Sequence, residues 1–243
     1  MRFAATVAYN GTAYKGFQRQ SRGASIQQSL EDALEAIAGR KVKVNGAGRT
    51  DTGVHATGQV VAFDLEWQHP YEKLQKALNS RLASDIAIVH VKQVSDDFDP
   101  RRHAVSRTYQ YRLYQAEVRD PLRLNLAWHV TSLVGGSGMN AAAGSIVGKH
   151  DFISFGLPPS GTNTVRTVTT AGWDFDGPDA KFTITADAFL FRMVRTLVGT
   201  MVKIGQEKMT VEEFQAILAA RKRGLAAAPA PACGLTLTAV NYR

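Results

Sequence analysis

The chain has 243 residues, 44% hydrophobic and 21% charged, with a formal net charge of +8, which excludes a disordered polymer and fits one or two globular domains. No apolar run approaches the roughly 18 residues of a membrane span, and Met1 to Thr6 turn polar too early for a secretory signal. A single cysteine, Cys233, excludes an internal disulfide and a cysteine-based metal cluster, so a cytoplasmic protein without a metal is expected.

Phe3, Ala5, Val7 and Tyr9 alternate with Arg2, Ala4, Thr6 and Ala8, which predicts a first strand ending at the turn Asn10-Gly11. A helix follows: Ser25 stands as N-cap with Gln28 in the capping-box position. Ile26, Leu30, Ala33, Leu34 and Ile37 form its apolar stripe, and Gly39 stops it. Lys41 to Asn45 and Gln59 to Asp64 read as strands joined by a glycine-rich loop; Tyr71, Leu74, Leu78 and Leu82 recur at helical spacing after Pro70; Ile86 to Val94 is a further strand. This order is the split βαβ, ferredoxin-like arrangement.

After Asp99-Pro100 the order recurs with insertions. Strands are predicted near Thr108 to Tyr114, Val165 to Phe175 and Lys181 to Asp187, and helices near Met139 to Val147 and from Leu190 to Ile204. Another helix near Val211 to Arg221 and a closing strand near Leu235 to Tyr242 flank the linker-like stretch Leu225 to Ala232. The expectation is an α+β protein of two ferredoxin-like (RRM-like) halves, residues 1–100 and 101–243, their antiparallel or mixed sheets joined side by side with a basic cleft between them.

Gly46-Ala47-Gly48-Arg49-Thr50-Asp51-Thr52-Gly53-Val54-His55-Ala56-Thr57-Gly58-Gln59-Val60 sets one carboxylate among four glycines and two residues from an arginine. Glycines admit close backbone approach, and a carboxylate beside a cation is held ionised, so the loop suits a carboxylate nucleophile. Competing motifs fail. Asp51 occupies the third glycine position of a dinucleotide fingerprint, and neither Gly48-to-Gly53 nor Gly53-to-Gly58 is followed by the Lys-Ser/Thr of a phosphate loop. No nucleotide cofactor is therefore implied. Asp51-Thr52-Gly53 also spells the aspartic-protease triplet, but there is no second such triplet with which to share a proton.

Residues 1–100 hold 12 basic and 11 acidic side chains, and residues 101–243 hold 17 and 10. The excess in the second half points to a polyanionic partner. Pro100 to Arg112 carries Arg101, Arg102, Arg107 and Arg112 with Tyr109 and Tyr111, as phosphate contact and base stacking require; a solvated strand edge fits equally. On the helix from Leu190, Arg192, Arg195, Gly199 and Lys203 lie opposite Leu190, Val194, Leu197, Val198, Met201 and Ile204. That basic stripe suits either close approach of a phosphate or base, or plain solvation. The six histidines show no metal-ligand spacing, and structural roles are expected for His55 and His150.

Together these segments resemble the TruA-type tRNA pseudouridine synthases. The resemblance covers Ala8 to Thr12, Gly16 to Gln20, Gly46 to Ala56, Ser106 to Tyr111, His150 to Phe152, Phe189 to Arg195 and Ala232 to Leu237, in that order. It places the family's nucleophilic aspartate on Asp51, its neighbouring arginine on Arg49, its stacking tyrosine on Tyr109 and the basic partner of the aspartate on Arg195. Two departures are visible. Phe17 stands where tryptophan is common, which bears on packing or RNA contact, and Thr52 stands where alanine is common.

The implied reaction converts uridine in tRNA to pseudouridine without cofactor or metal, on a base flipped from its stack. The implied targets are positions 38, 39 and 40 of the anticodon arm, and the implied enzyme is a homodimer. Arg19, Gln20, Arg101, Arg102 and Arg107 are candidate substrate contacts. A non-catalytic RNA-binding protein and a glycosidase-like hydrolase are the competing readings. The hydrolase needs a second acid, and the nearest downstream carboxylates, Asp64 and Glu66, lie in or just after a strand.

Overall fold

The computed structural model describes residues 1–243. In chain order its elements are β1 (Arg2–Tyr9), α1 (Ile26–Ala38), β2 (Asn45–Gly46), β3 (His55–Asp64), α2 (Tyr71–Asn79), β4 (Ile86–Val94), β5 (Ala104–Gln115), β6 (Trp128–Val130), α3 (Gly136–Ser145), β7 (Gly148–Asp151), β8 (Val165–Asp176), β9 (Asp179–Ala186), α4 (Met193–Gly205), α5 (Val211–Ala220) and β10 (Leu235–Tyr242). The α+β class expected from the sequence is present. No helix is long and apolar enough to cross a membrane.

The chain forms two compact units, Met1–Val105 with Thr236–Arg243, and Ser106–Leu235. The sequence division at residue 100 places the closing strand in the second half, whereas from Thr236 onward it groups with the first unit.

In the first unit the strands lie in the order β4-β1-β3, with β2 pairing β3 at Asn45↔Ala62 and Gly46↔Val61. That is the sheet order of a split βαβ fold. β10 runs parallel to β3 at Thr236↔His55 and Leu237↔Ala56. α1 starts where Ser25 Oγ accepts from Gln28 N and ends at Gly39, whose φ of 67° is left-handed. Ile26, Leu30, Ala33 and Leu34 are buried, as the stripe required. The β1–β4 register shifts between Thr6↔His90 and Val7↔Ile88. At that irregularity α2 supplies the partners: Gln75 Nε2 donates to Ile88 O and Val89 O, and Asn79 bonds both the N–H and the carbonyl of Ile88.

The expected strand Lys41 to Asn45 shrinks to Asn45–Gly46. Its apolar residues Val42 and Val44 are buried, but Val44 O accepts from Gln27 Nε2 and Val44 N donates to Glu31 Oε1. Side chains of α1 take the backbone groups a neighbouring strand would have used. β3 in turn begins at His55 rather than Gln59, so the connecting loop is Ala47 to Val54.

The second unit pairs β5-β9-β8-β7 antiparallel, with β6 parallel to β5. Phe152, Phe155, Phe182 and Phe214 lie in its core, and α4 is buried along most of its length. The helix expected from Leu190 starts at Met193, because Arg192 is left-handed at φ 62° and Phe191 pairs with Leu157 as an antiparallel bridge. The stripe through Gly199 is not open to a ligand. A Cβ there would stand 2.2 Å from Ala228 O, Ala227 N donates to Thr200 Oγ1 at 3.2 Å, and Ala230 is buried. The linker-like stretch is thus packed on α4 by a close approach that only glycine permits.

Candidate active site

The Asp51 loop is held by the segment that follows β1. Thr50 O accepts from Phe17 N at 3.1 Å, Gly53 N donates to Tyr14 O at 3.4 Å, and Val54 N closes a turn onto Asp51 O at 3.1 Å. Gly16 makes this possible: its φ is +92°, and a Cβ would lie 2.5 Å from Thr50 O. On the other side Tyr9 OH meets Thr50 Oγ1 at 2.9 Å and buried Gln59 donates Nε2 to Gly48 O at 2.9 Å. Arg49 lies between these two anchored residues with its side chain exposed, and Asp51 is half-buried. A carboxylate and a guanidinium are therefore presented on backbone fixed from both flanks.

Tyr9, Thr50, Gln59 and Tyr14 were not singled out from the sequence. The available signal was Gln59, a polar residue inside the apolar run of β3. Burial pushes the Tyr9 phenol up to about 12, against smaller opposite effects from its hydrogen bonds to Thr50 and Gln59. It therefore acts as a neutral hydroxyl. His55 Nδ1 accepts from Gly11 N at 3.0 Å, and His150 Nε2 lies 3.1 Å from Val147 O, so both rings have backbone partners. Phe17 is buried, its ring filling the space where a Cβ on Gly46 would stand 2.4 Å away; its departure from the family pattern bears on packing.

In the second unit, Tyr109 lies on β5 opposite Ile184, its ring edge-on to Phe189 at 5.0 Å between centroids. Arg195, on the first turn of α4, donates Nε to Ala230 O at 2.7 Å while its carbonyl accepts from Ala230 N at 2.9 Å. The packed 228–230 segment thereby orients the guanidinium. Burial raises the Tyr111 phenol, which donates to Pro231 O at 2.9 Å. Burial also raises the Cys233 thiol, keeping it protonated and a poor nucleophile.

The candidate substrate contacts differ in setting. Arg19 pairs with Glu31 at 2.8 Å, and Gln20 donates to Lys15 O at 2.7 Å. The amides of Arg101 and Arg102 both donate to Asp99 Oδ1, and the Arg102 side chain is 85% exposed. Arg107 donates to Asp187 O at 2.8 Å.

The family model for tRNA pseudouridine synthases matches residues 5–101 and 142–243. The chain belongs to that family. A tRNA pseudouridine synthase A of Streptococcus pneumoniae serotype 19F (strain G54) is 39% identical over 247 aligned residues, covering 99% of this chain and 98% of its own. The protein of the same name from Streptococcus pneumoniae strain Hungary19A-6 is 38% identical with the same coverage. Asp51, Arg49 and Arg195 all fall within the matched segments, whereas Tyr109 lies between them.

Proposed function

We propose that Asp51 is the carboxylate nucleophile with which this tRNA pseudouridine synthase isomerises uridine in the anticodon arm, at positions 38, 39 and 40. The observation that carries the reading is the anchored loop: in a chain of this family, Asp51 and exposed Arg49 ride on backbone held by Gly16, Phe17, Tyr9 and Gln59. The carboxylate adds to the flipped nucleoside at uracil C6 or ribose C1′. The C1′–N1 bond breaks, the base turns, C1′–C5 forms, and the bond to Asp51 breaks, which returns the free carboxylate. The C5 proton is lost and N1 takes one up, so the reaction balances without oxidant or external group. Residues 1–100 supply Asp51 and Arg49; residues 101–243 supply Tyr109 to stack on the base and help remove the C5 proton, and Arg195 to pair with the carboxylate. Arg19, Gln20, Arg101, Arg102 and Arg107 contact the RNA.

We place the protein in the cytoplasm and read it as a homodimer. An anchored apolar loop supports the dimer: Val118, Leu122 and Leu124 are 75%, 90% and 66% exposed, although Arg123 pairs with Asp179 and stacks on Tyr114 and so orders the loop. Sedimentation should give twice the chain mass, and Leu122→Asp with Leu124→Asp should return a monomer.

The function is tested by incubating purified protein with an unmodified tRNA transcript and mapping pseudouridine by position. Conversion at 38, 39 or 40 is expected. Conversion elsewhere only would refute the assigned targets, and release of free uracil would show a hydrolase instead. Binding should fall steeply as salt rises, since phosphate contacts release counterions.

A further inference from the structure

Phe191 and Arg192 stand out from the rest of the second unit. Phe191 is 48% exposed although the Arg192 guanidinium already covers one face of its ring, the guanidinium carbon lying 4.9 Å from the ring centroid. The pair is fixed rather than loose. Phe191 N donates to Leu157 O at 2.7 Å, Leu157 N donates back to Phe191 O at 3.4 Å, and a Cβ on Gly156 would stand 2.8 Å from Phe191 O. Arg192 holds a left-handed φ of 62°, a conformation that costs a non-glycine residue on the order of 1 kcal/mol or more and concentrates at functional sites.

The guanidinium sits on an aromatic face, and about half of Phe191 remains exposed. An exposed aromatic ring beside a cation is the combination that single-stranded RNA uses for stacking and phosphate contact. Phe191 follows Phe189, the edge-on neighbour of Tyr109, by two residues, a span of at most about 7 Å of extended chain. That is on the order of two stacked-base rises.

We propose that Phe191 and Arg192 form a second stacking platform, which takes a nucleotide adjacent to the target uridine: the exposed ring stacks on its base and the guanidinium meets its phosphate. The inference rests on the proposed function and deepens it. A flipped uridine leaves a neighbour without a stacking partner, and this platform replaces the lost contact.

The test is equilibrium binding of the full-length protein to an unmodified tRNA transcript, which needs no turnover. Phe191→Ala should weaken binding on the order of 10- to 100-fold, and Phe191→Trp should keep it. Arg192→Gly, which retains the left-handed backbone, should lower the slope of log affinity against log salt by about one. Wild-type binding by Phe191→Ala, or a loss that tracks a fall in melting temperature and is not recovered by Phe191→Trp, would overturn the platform. A wild-type protein that binds tRNA but makes no pseudouridine would overturn the proposed function alone. Pseudouridine formation that neither substitution affects would overturn the platform alone.

Discussion

The Gly11 amide donates to His55 Nδ1 at 3.0 Å, tying the turn after β1 to the first residue of β3, four residues beyond Asp51. An accepting ring nitrogen carries no proton, so the neutral ring with hydrogen on Nε2 is the form that makes this contact. His55→Leu leaves the buried Gly11 N–H without an acceptor. A loss of about 1–3 kcal/mol in stability is expected, read as a melting temperature several degrees lower. An unchanged melting temperature would refute the clamp.

Gly16→Ala tests whether the loop must be held where it is. The added methyl meets Thr50 O at 2.5 Å, in a backbone conformation that alanine rarely adopts. Thr50 precedes Asp51, so its displacement moves the carboxylate. A misplacement of about 1 Å costs on the order of 100-fold in rate; kcat should fall by that much while the Kd for tRNA stays within a few-fold. Equal losses in both would point to general unfolding of the loop.

These anchors were largely illegible in the sequence. Alternation marked β1 and β4, and Ser25 with Gly39 marked both ends of α1, because those signals are local. Lys41 to Asn45 also alternates, but nothing local shows that Gln27 and Glu31 take the hydrogen bonds of Val44. β6 and β7, at three and four residues, are too short to display a period. Asp51 beside Arg49 is legible in the glycine-rich loop itself, whereas the roles of Tyr109 and Arg195 come only with the resemblance. The supports of the Asp51 loop, Tyr9 and Gln59, act across 41 and 11 residues of separation, and only Gln59, polar within an apolar strand, leaves a local mark.

Gly199 illustrates the same limit. Ala and Pro in residues 225–232 read as a linker, yet the segment lies against α4 through that glycine. Gly199→Ala should destabilise the protein by about 1–3 kcal/mol, because the methyl would overlap Ala228 O. Gly144→Ala, on α3 with nothing within 4 Å of the new Cβ, should stabilise it by up to about 1 kcal/mol. Equal effects in thermal denaturation would contradict the packed segment.

Alkaline pH should weaken the fold through its tyrosines. Burial pushes Tyr9 from 10.0 up to about 12, and burial with the Asp85 carboxylate does the same for Tyr14, whose hydroxyl donates to Asp85 Oδ1 at 2.7 Å. Both folded values lie above the unfolded one, so this stabilisation is fully present below pH 10 and is lost as pH rises through about 12. Stability measured by denaturant titration should fall between those values, and Tyr9→Phe should flatten the fall. A slope unchanged by Tyr9→Phe would count against a buried neutral phenol at that site.

The most direct measurement follows tritium released from uridine C5 of tRNA by the wild type and by Asp51→Asn, which keeps the shape of the side chain but removes the carboxylate. Release by the wild type and none above background by Asp51→Asn is the expected result, with both proteins binding tRNA alike. Equal release from the two would contradict Asp51 as nucleophile, and release from neither would contradict the enzyme itself.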